Sequence, residues 1–522
     1  MAPNIVIERQ LLPRVDYHEE SLTDCVTCAH IRLNGCKEFE DPEDDCRFQL
    51  LRHLCRDGEG LLNGVFFPGP ETAEEVRFDW PECWSTPLDA DHRNVLKKAV
   101  ATALLPILLK EQRRISTNSA MIHRPRETVV RVTCDRCSTS IFPGSWMCRC
   151  CGQEVCEECV EEIREPARNI PHPANEDFVP VTRFTPEELN GAILRMSALV
   201  DPADGVVAPT ADDRELRKFL PAELTEDIFQ QMMTHGHPLL VTKVALRWEP
   251  KDLKASGICD VIDCQSGIKE CMSAAEFFGG FGQYRQGRPI WKVKDWPPST
   301  DFHKQFPILY EQFDSAVPMP DYVRRDGILN LAAYFPSNTV APDLGPKMYS
   351  SYANRTEHNC RGTTQLHLDM SDAVNIMVFA SPDPGNKPGS AVWDIFRGQD
   401  TDKIRQYLQD KGDFAGDPIH DQDTYLSEDD RRDLQDKCGV RGYRVVQKPG
   451  DAIFIPAGCA HQVCNLSDCI KVAIDFVSPE SIIRCQGLAR ELRREGTRKE
   501  DKLQLHSLLW FTWLYYCREE ES

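Results

Sequence analysis

Lys448-Pro449-Gly450-Asp451-Ala452-Ile453-Phe454-Ile455-Pro456-Ala457-Gly458-Cys459-Ala460-His461 is the stretch on which the fold turns. Pro449-Gly450-Asp451 makes a turn, because proline presets φ and glycine tolerates a left-handed backbone. Ala452–Ile455 is short, apolar and bounded by turn residues, as a buried strand should be. Pro456-Ala457-Gly458 bends the chain again and delivers His461. A second stretch, Gly362-Thr363-Thr364-Gln365-Leu366-His367-Leu368-Asp369, fits beside it. Residues two apart in a strand share a face, so His367 and Asp369 reach one metal while Leu366 and Leu368 face the core. An H-x-D triplet alone is weak evidence, since a chain of this composition contains about one by chance.

The later histidine raises its weight. The order P-G-D, P-x-G, H is the second half-motif of cupin-type barrels, and it supplies a third ligand. Two imidazoles and one carboxylate on one face of an octahedron leave open positions, the arrangement of non-haem Fe(II) oxygenases. His367, Asp369 and His461 are therefore the candidate catalytic and iron-binding residues. The strand Cys469–Val477 adds a separate clue: Ile470, Val472, Ile474 and Phe476 share one face and Lys471, Ala473 and Asp475 the other. A lysine inside an apolar barrel is costly unless an anion meets it. The distal carboxylate of 2-oxoglutarate is one candidate, with Asn375 helping to hold it; pairing of Lys471 with Asp475 is the alternative.

Composition bounds the rest. The 522 residues predict two to four folded units, and 41% apolar content with mixed charge supports ordinary cores. With 61 basic against 82 acidic side chains, the net charge of −21 disfavours strong direct nucleic-acid binding and favours a basic polypeptide partner. The longest apolar runs, near Ala99–Leu109 and Leu508–Cys517, are too short to span a membrane, and Met1–Asp16 has no signal-peptide core.

Of 23 cysteines, 13 lie at or before Cys159. Without a secretory signal, such CxxC pairs read as thiolate metal sites rather than disulfides. Cys25, Cys28, Cys36 and Cys46 form one four-thiolate zinc set. The second group is Cys134-x2-Cys137-x10-Cys148-x2-Cys151-x4-Cys156-x2-Cys159. It resembles a ZZ-type cross-braced finger, in which Cys134, Cys137, Cys156 and Cys159 share one zinc. Cys148 and Cys151 would hold a second with partners that spacing does not identify; Cys150, His123 and His172 are candidates.

The expected organisation is an N-terminal tail at 1–24, a zinc-binding region at 25–165, a linker with helices at 166–235, a barrel at 236–490 and a C-terminal helix at 491–522. Asp91–Gln112 reads as a helix kinked at Pro106. The aromatic tail Leu508–Tyr516 reads as a helix packed on the body, with a membrane surface or a homodimer contact as the sharper alternative.

At this point the chain resembles the JmjC-domain histone demethylases of the lysine-specific demethylase 3 type. The matching segments are Gly287–Pro298, Asp343–Tyr349, Gly362–Asp369, Asp417–Gln422, Gly450–His461, Cys469–Glu480, Cys134–Cys159 and Phe178–Phe184. The resemblance implies a mixed α+β chain: a double-stranded β-helix barrel (cupin, jelly-roll) with flanking helices, preceded by a zinc-binding α+β region. It implies Fe(II), O2 and 2-oxoglutarate as cofactors and cosubstrates, with structural Zn(II). Thr364, Asn375 and Lys471 would contact 2-oxoglutarate, with Lys387 competing for the lysine role. The implied reaction is hydroxylation of an N-methyl group on mono- or dimethylated lysine 9 of histone H3, with release of formaldehyde. Tyr349 or Tyr352 would meet the methylammonium. Partners would be the methylated H3 tail and, through the zinc region, chromatin or transcription proteins, in the nucleus. A catalytically idle chromatin scaffold and a cupin-like enzyme using zinc or manganese without a cosubstrate are the competing readings. Ser145 stands where this finger usually has a histidine, and the 91 residues between Asp369 and His461 predict a helical insertion near 398–441.

Overall fold

The computed structural model describes all residues except 1–4, 11–23, 26–27, 30–45, 50, 73–75, 165–176, 201–214, 255–256, 285–286, 299, 355–361, 384, 413, 495–499 and 522. In the second half, the strands are β1 (Arg217–Phe219), β2 (Leu239–Val241), β3 (Ile258–Asp263), β4 (Lys269–Ser273), β5 (Trp291–Trp296), β6 (Lys347–Ser351), β7 (Thr364–His367), β8 (Asp372–Ala380), β9 (Ala391–Ile395), β10 (Tyr443–Gln447), β11 (Ala452–Ile455), β12 (His461–Asn465) and β13 (Cys469–Phe476). They form two sheets, ordered β4-β3-β5-β6-β13-β8-β11-β2-β1 and β7-β12-β9-β10. These face one another across a cavity of about 500 Å³, which makes the double-stranded β-helix.

The central ladder joins β8 to β13, from Asp372 opposite Phe476 to Ala380 opposite Cys469, with an irregularity between Met377 and Phe379. Along β13, Ile470, Val472, Ile474 and Phe476 enter the main core while Lys471, Ala473 and Asp475 line the cavity. The turn-strand-turn reading of 448–461 places β11 between Gly450, at φ +87°, and Gly458, at φ +79°. Only glycine adopts such angles freely, so these two positions fix where β11 starts and ends.

Between β9 and β10 the insertion supplies two helices, Thr401–Lys411 and Glu428–Cys438, the second opened by a Ser427/Asp430 capping box. Its return path lies against the ligand strands: Leu366 N donates to Thr424 O at 2.7 Å, and Leu426 N to Gln462 Oε1 at 2.7 Å.

Two expected boundaries shift. The large sheet reaches back to Arg217–Phe219, which pairs in parallel with Leu239–Val241, so it starts before residue 236. Phe178–Thr182, beyond residue 165, pairs with Gly144–Cys148 in the four-stranded sheet of the cysteine-rich region. The helix Ala90–Thr117 runs through Pro106 and buries Leu96, Val100, Leu104 and Leu108. That stripe joins the core shared with the barrel and the C-terminal helix, rather than the cysteine clusters. The helix Leu505–Glu521 is likewise internal: Trp510, Trp513 and Tyr516 are buried, Trp510 packs on Phe184 at 4.9 Å, and Tyr516 shares a hydrogen bond with Tyr334. Its aromatic face is therefore occupied within the chain.

One buried carboxylate ties these parts together. Asp372 accepts from Ala457 N at 2.8 Å, Ser478 N at 3.2 Å, Ser478 Oγ at 2.7 Å and Ser481 Oγ at 2.6 Å. It pins the bend before His461 to the start of β8 and to the segment after β13. Replacing it leaves several buried donors without an acceptor, so Asp372→Ala should cost about 3 kcal/mol and Asp372→Asn about half as much. Urea unfolding midpoints measure both; an unchanged midpoint for Asp372→Ala contradicts the clamp.

Candidate active site

β7 and β12 are antiparallel neighbours, and their register sets His367 opposite His461. The two imidazoles sit 4.2 Å apart between centroids, at 53°. Asp369, just past β7, brings Oδ2 to 3.7 Å from His461 Nε2. One donor atom from each of His367, Asp369 and His461 lies within 4.8 Å of the others. The backbone fixes the tautomers: His367 Nδ1 donates to Gln365 O at 2.8 Å, and His461 Nδ1 donates to Cys459 O at 3.0 Å. Each Nε2 is left with its lone pair toward the shared point, as a metal ligand requires. Burial, reinforced by His461, holds the His367 pKa down to about 4, so its imidazole is neutral near pH 7. Two imidazoles and one carboxylate, with no thiolate, suit a divalent iron better than a closed zinc site.

The remaining walls divide by charge. Lys471 is buried, stacks its ammonium 4.8 Å over Trp393, and meets no carboxylate within ion-pair distance among the described residues. Burial, opposed by Cys469 and reinforced by Lys292, brings its pKa down to about 8. Asp475 is not its partner. Thr364 and Asn375 line the same cavity. Lys387 sits exposed in the loop after β8, away from the cavity that Lys471 lines.

Asp475 lies four residues further along the same face of β13, about 13 Å along the strand. There the lining is acidic: Tyr349 OH donates to Asp295 Oδ1 at 2.7 Å, and Asp369 is near. Burial and the neighbouring carboxylates of Asp369 and Asp295 push the Asp475 carboxyl well above its ordinary range. Burial and Asp295 do the same to the Tyr349 phenol. Tyr352, the other candidate tyrosine, instead packs into the core, stacked on Phe277 and donating to its carbonyl at 3.0 Å. Asp295 and Lys292 are among the cavity residues that escaped the sequence reading. Asp295 has no signal of its own, whereas Lys292 does: Lys292 and Lys294 alternate with the buried Val293, so that they share the cavity face of β5.

The cysteine sets lie elsewhere. Cys134, Cys137, Cys156 and Cys159 are all buried, with donor atoms within 4.8 Å of one another, and so are Cys25, Cys28 and Cys46; Cys36 lies outside the described residues. Both sets have the chemistry of a thiolate zinc site. Cys148 and Cys151 face each other, but no further ligand completes a cluster with them among the described residues. Cys150 is exposed and donates to Asp177 Oδ2 at 3.2 Å. His123 lies near Arg126 and Arg183, which with burial lower its pKa to about 4. His172 lies outside the described residues. Ser145, at the position expected to carry a ligand, belongs to a buried ion network: it donates to Glu154, which Arg183 Nη2 meets at 2.8 Å.

Residues 358–476 match the family described as JmjC domain, hydroxylase. Lysine-specific demethylase 3A of Homo sapiens is 36% identical, the match covering 54% of this chain and 26% of that protein. Lysine-specific demethylase 3 of Drosophila melanogaster is 38% identical over 54% of this chain and 40% of its own length. A human protein described as probable JmjC domain-containing histone demethylation protein 2C is 33% identical, over 54% and 13%. The chain thus spans about a quarter of the first of these relatives.

The separation of the two kinds of metal-binding cluster has a direct test. His367→Ala should abolish binding of Fe(II), or of Mn(II) in its place, and leave zinc content by elemental analysis unchanged. A proportional loss of zinc means that the triad and the cysteine sets are not independent.

Proposed function

We propose that this chain, which carries a JmjC domain of the lysine-specific demethylase 3 type, is an Fe(II)- and 2-oxoglutarate-dependent demethylase of mono- and dimethylated lysine 9 in histone H3. The observation that carries this reading is the pairing of a two-histidine, one-carboxylate cluster with a buried, uncompensated lysine in a single cavity. Iron held by His367, Asp369 and His461 would supply oxygen activation coupled to decarboxylation of 2-oxoglutarate to succinate, oxidising an N-methyl C–H so that formaldehyde leaves.

The chain's own groups account for binding and orientation. Lys471 supplies the charge for the distal carboxylate of 2-oxoglutarate, and Thr364 and Asn375 supply polar contacts in the same seat. Tyr349, Asp295 and Asp475 make an acidic wall suited to a methylammonium, with the phenol ring for the methyl groups. Because oxidation is at carbon, selectivity among methylation states rests on the shape of this wall. The intact triad weighs against the idle scaffold, and the buried lysine against a zinc or manganese isomerase without cosubstrate.

Structural zinc is assigned to Cys134, Cys137, Cys156 and Cys159, and to Cys25, Cys28 and Cys46 with Cys36; Cys148 and Cys151 are a partial second finger set. Zinc-dependent folding of this region would present a surface to chromatin or transcription proteins. A net charge of −21 attracts a lysine-rich tail at long range and repels DNA, which fits a nuclear role through protein contacts.

Purified protein incubated with Fe(II), 2-oxoglutarate and methylated H3 peptides should release methyl groups one at a time by mass spectrometry, with succinate formed. No loss from any methyl-lysine, with succinate also absent, overturns the proposal. A second expectation concerns pH. Lys471 titrates near 8 without an anion and is held protonated by one, so 2-oxoglutarate affinity should fall as pH rises through about 8. Lys471→Met should weaken binding at least about tenfold at pH 7 and remove that dependence. A pH-independent affinity in the wild type contradicts the assignment.

A further inference from the structure

Lys292 belongs to β5 of the large sheet, yet its ammonium reaches the opposite sheet at the metal-ligand strand. Nζ donates to Thr364 Oγ1 at 2.6 Å and to Thr363 O at 3.0 Å. It has no carboxylate partner within ion-pair distance among the described residues, and it lines the cavity beside Lys471. A hydrogen bond between the sheets could be made by a neutral amide at much lower cost than by a desolvated ammonium. Two such ammoniums in one cavity are costlier still, unless the occupant is doubly negative.

The geometry also fixes a hydrogen. An ammonium has three donors and no acceptor, so Thr364 Oγ1 must accept from Lys292. The threonine's own O–H is then free to donate away from Lys292. The Thr363 carbonyl cannot rotate to compete, because it accepts from Lys292 and from Cys264 Sγ at 3.5 Å.

We infer that Lys292 is a positioning residue for the dicarboxylate cosubstrate, holding Thr364 as a hydroxyl donor to it and adding a second ammonium beside that of Lys471. This rests on the cosubstrate reading above and adds to it a determinant of selectivity: the site discriminates 2-oxo dicarboxylates from 2-oxo monocarboxylates through two ammoniums, one of them acting through a threonine.

The test uses the full chain loaded with Mn(II), which holds the site without turnover. Dissociation constants are measured for 2-oxoglutarate and for 2-oxopentanoate, which has a methyl group in place of the distal carboxylate. Lys292→Met should weaken 2-oxoglutarate by about tenfold or more and shift 2-oxopentanoate by no more than about twofold, so that the preference collapses. Thr364→Val in the Lys292→Met background should add little, because the two act as one unit. Lys292→Gln keeps the hydrogen bond without the charge; it should bind Mn(II) normally and recover part of the preference lost in Lys292→Met, which separates positioning from charge and guards against a folding defect in the methionine variant. Unchanged 2-oxoglutarate affinity in Lys292→Met, equal weakening of both acids, or multiplicative effects of the two substitutions each overturn the inference. Failure of the wild type to bind 2-oxoglutarate is a different result, since it removes the cosubstrate reading itself.

Discussion

The register between β7 and β12 is the constraint on which the active site depends. A side chain's face in a strand is set by parity, so slipping this pair by one residue would turn His461 from the cavity into the core. At one end Thr363 holds it, donating to Val463 O at 2.8 Å through its amide and accepting from Asn465 N at 3.1 Å through its hydroxyl. The surroundings add to this: the glycine-bounded β11, the Asp372 clamp on the Ala457 amide, and the Thr424 carbonyl that holds Leu366 from the other side. With the register set, the Gln365 and Cys459 carbonyls orient both imidazoles, and donor atoms of His367, Asp369 and His461 come within 4.8 Å of one another.

Burial does the rest of the chemistry. Within one cavity the large sheet offers the Lys471 ammonium, with no carboxylate in ion-pair range among the described residues, at one end of a strand face and the Asp475 carboxyl at the other. In water such an arrangement would have little consequence; in a low-dielectric cavity it is a strong preference for a ligand that is anionic at one end and a second ligand that is cationic at the other. His367 and His461 belong to the opposite, four-stranded sheet and line the same cavity.

Much of this is legible in the sequence, because the informative segments are short and their chemistry is local. Alternation along Cys469–Phe476 separates core from cavity residues, and the Pro449–Gly458 punctuation delimits β11. The spacing of Cys134, Cys137, Cys156 and Cys159 identifies four thiols that the fold brings together. What escapes depends on long-range pairing. Tyr349 and Tyr352 differ by three positions, hence opposite parity, but only the β6–β13 ladder, with Tyr349 opposite Lys471, shows which one faces the cavity. The helix Ala90–Thr117 has a legible apolar stripe, yet nothing in the stripe says that its partners are near residues 190 and 510. Lys292 carries a period-two signal, but its target, Thr364, is 72 residues away on the other sheet.

The central claim is that one half of the chain holds a redox-active metal with no cysteine, and the other half holds structural metal with cysteine alone. Anomalous diffraction at the iron and zinc edges, on crystals grown with Fe(II) and 2-oxoglutarate under nitrogen, tests it most directly. The account predicts an iron-edge peak bounded by His367, Asp369 and His461, with 2-oxoglutarate density reaching Lys471, and zinc-edge peaks confined to the cysteine sets. Zinc at the histidine cluster, or iron at Cys134, Cys137, Cys156 and Cys159, would contradict it.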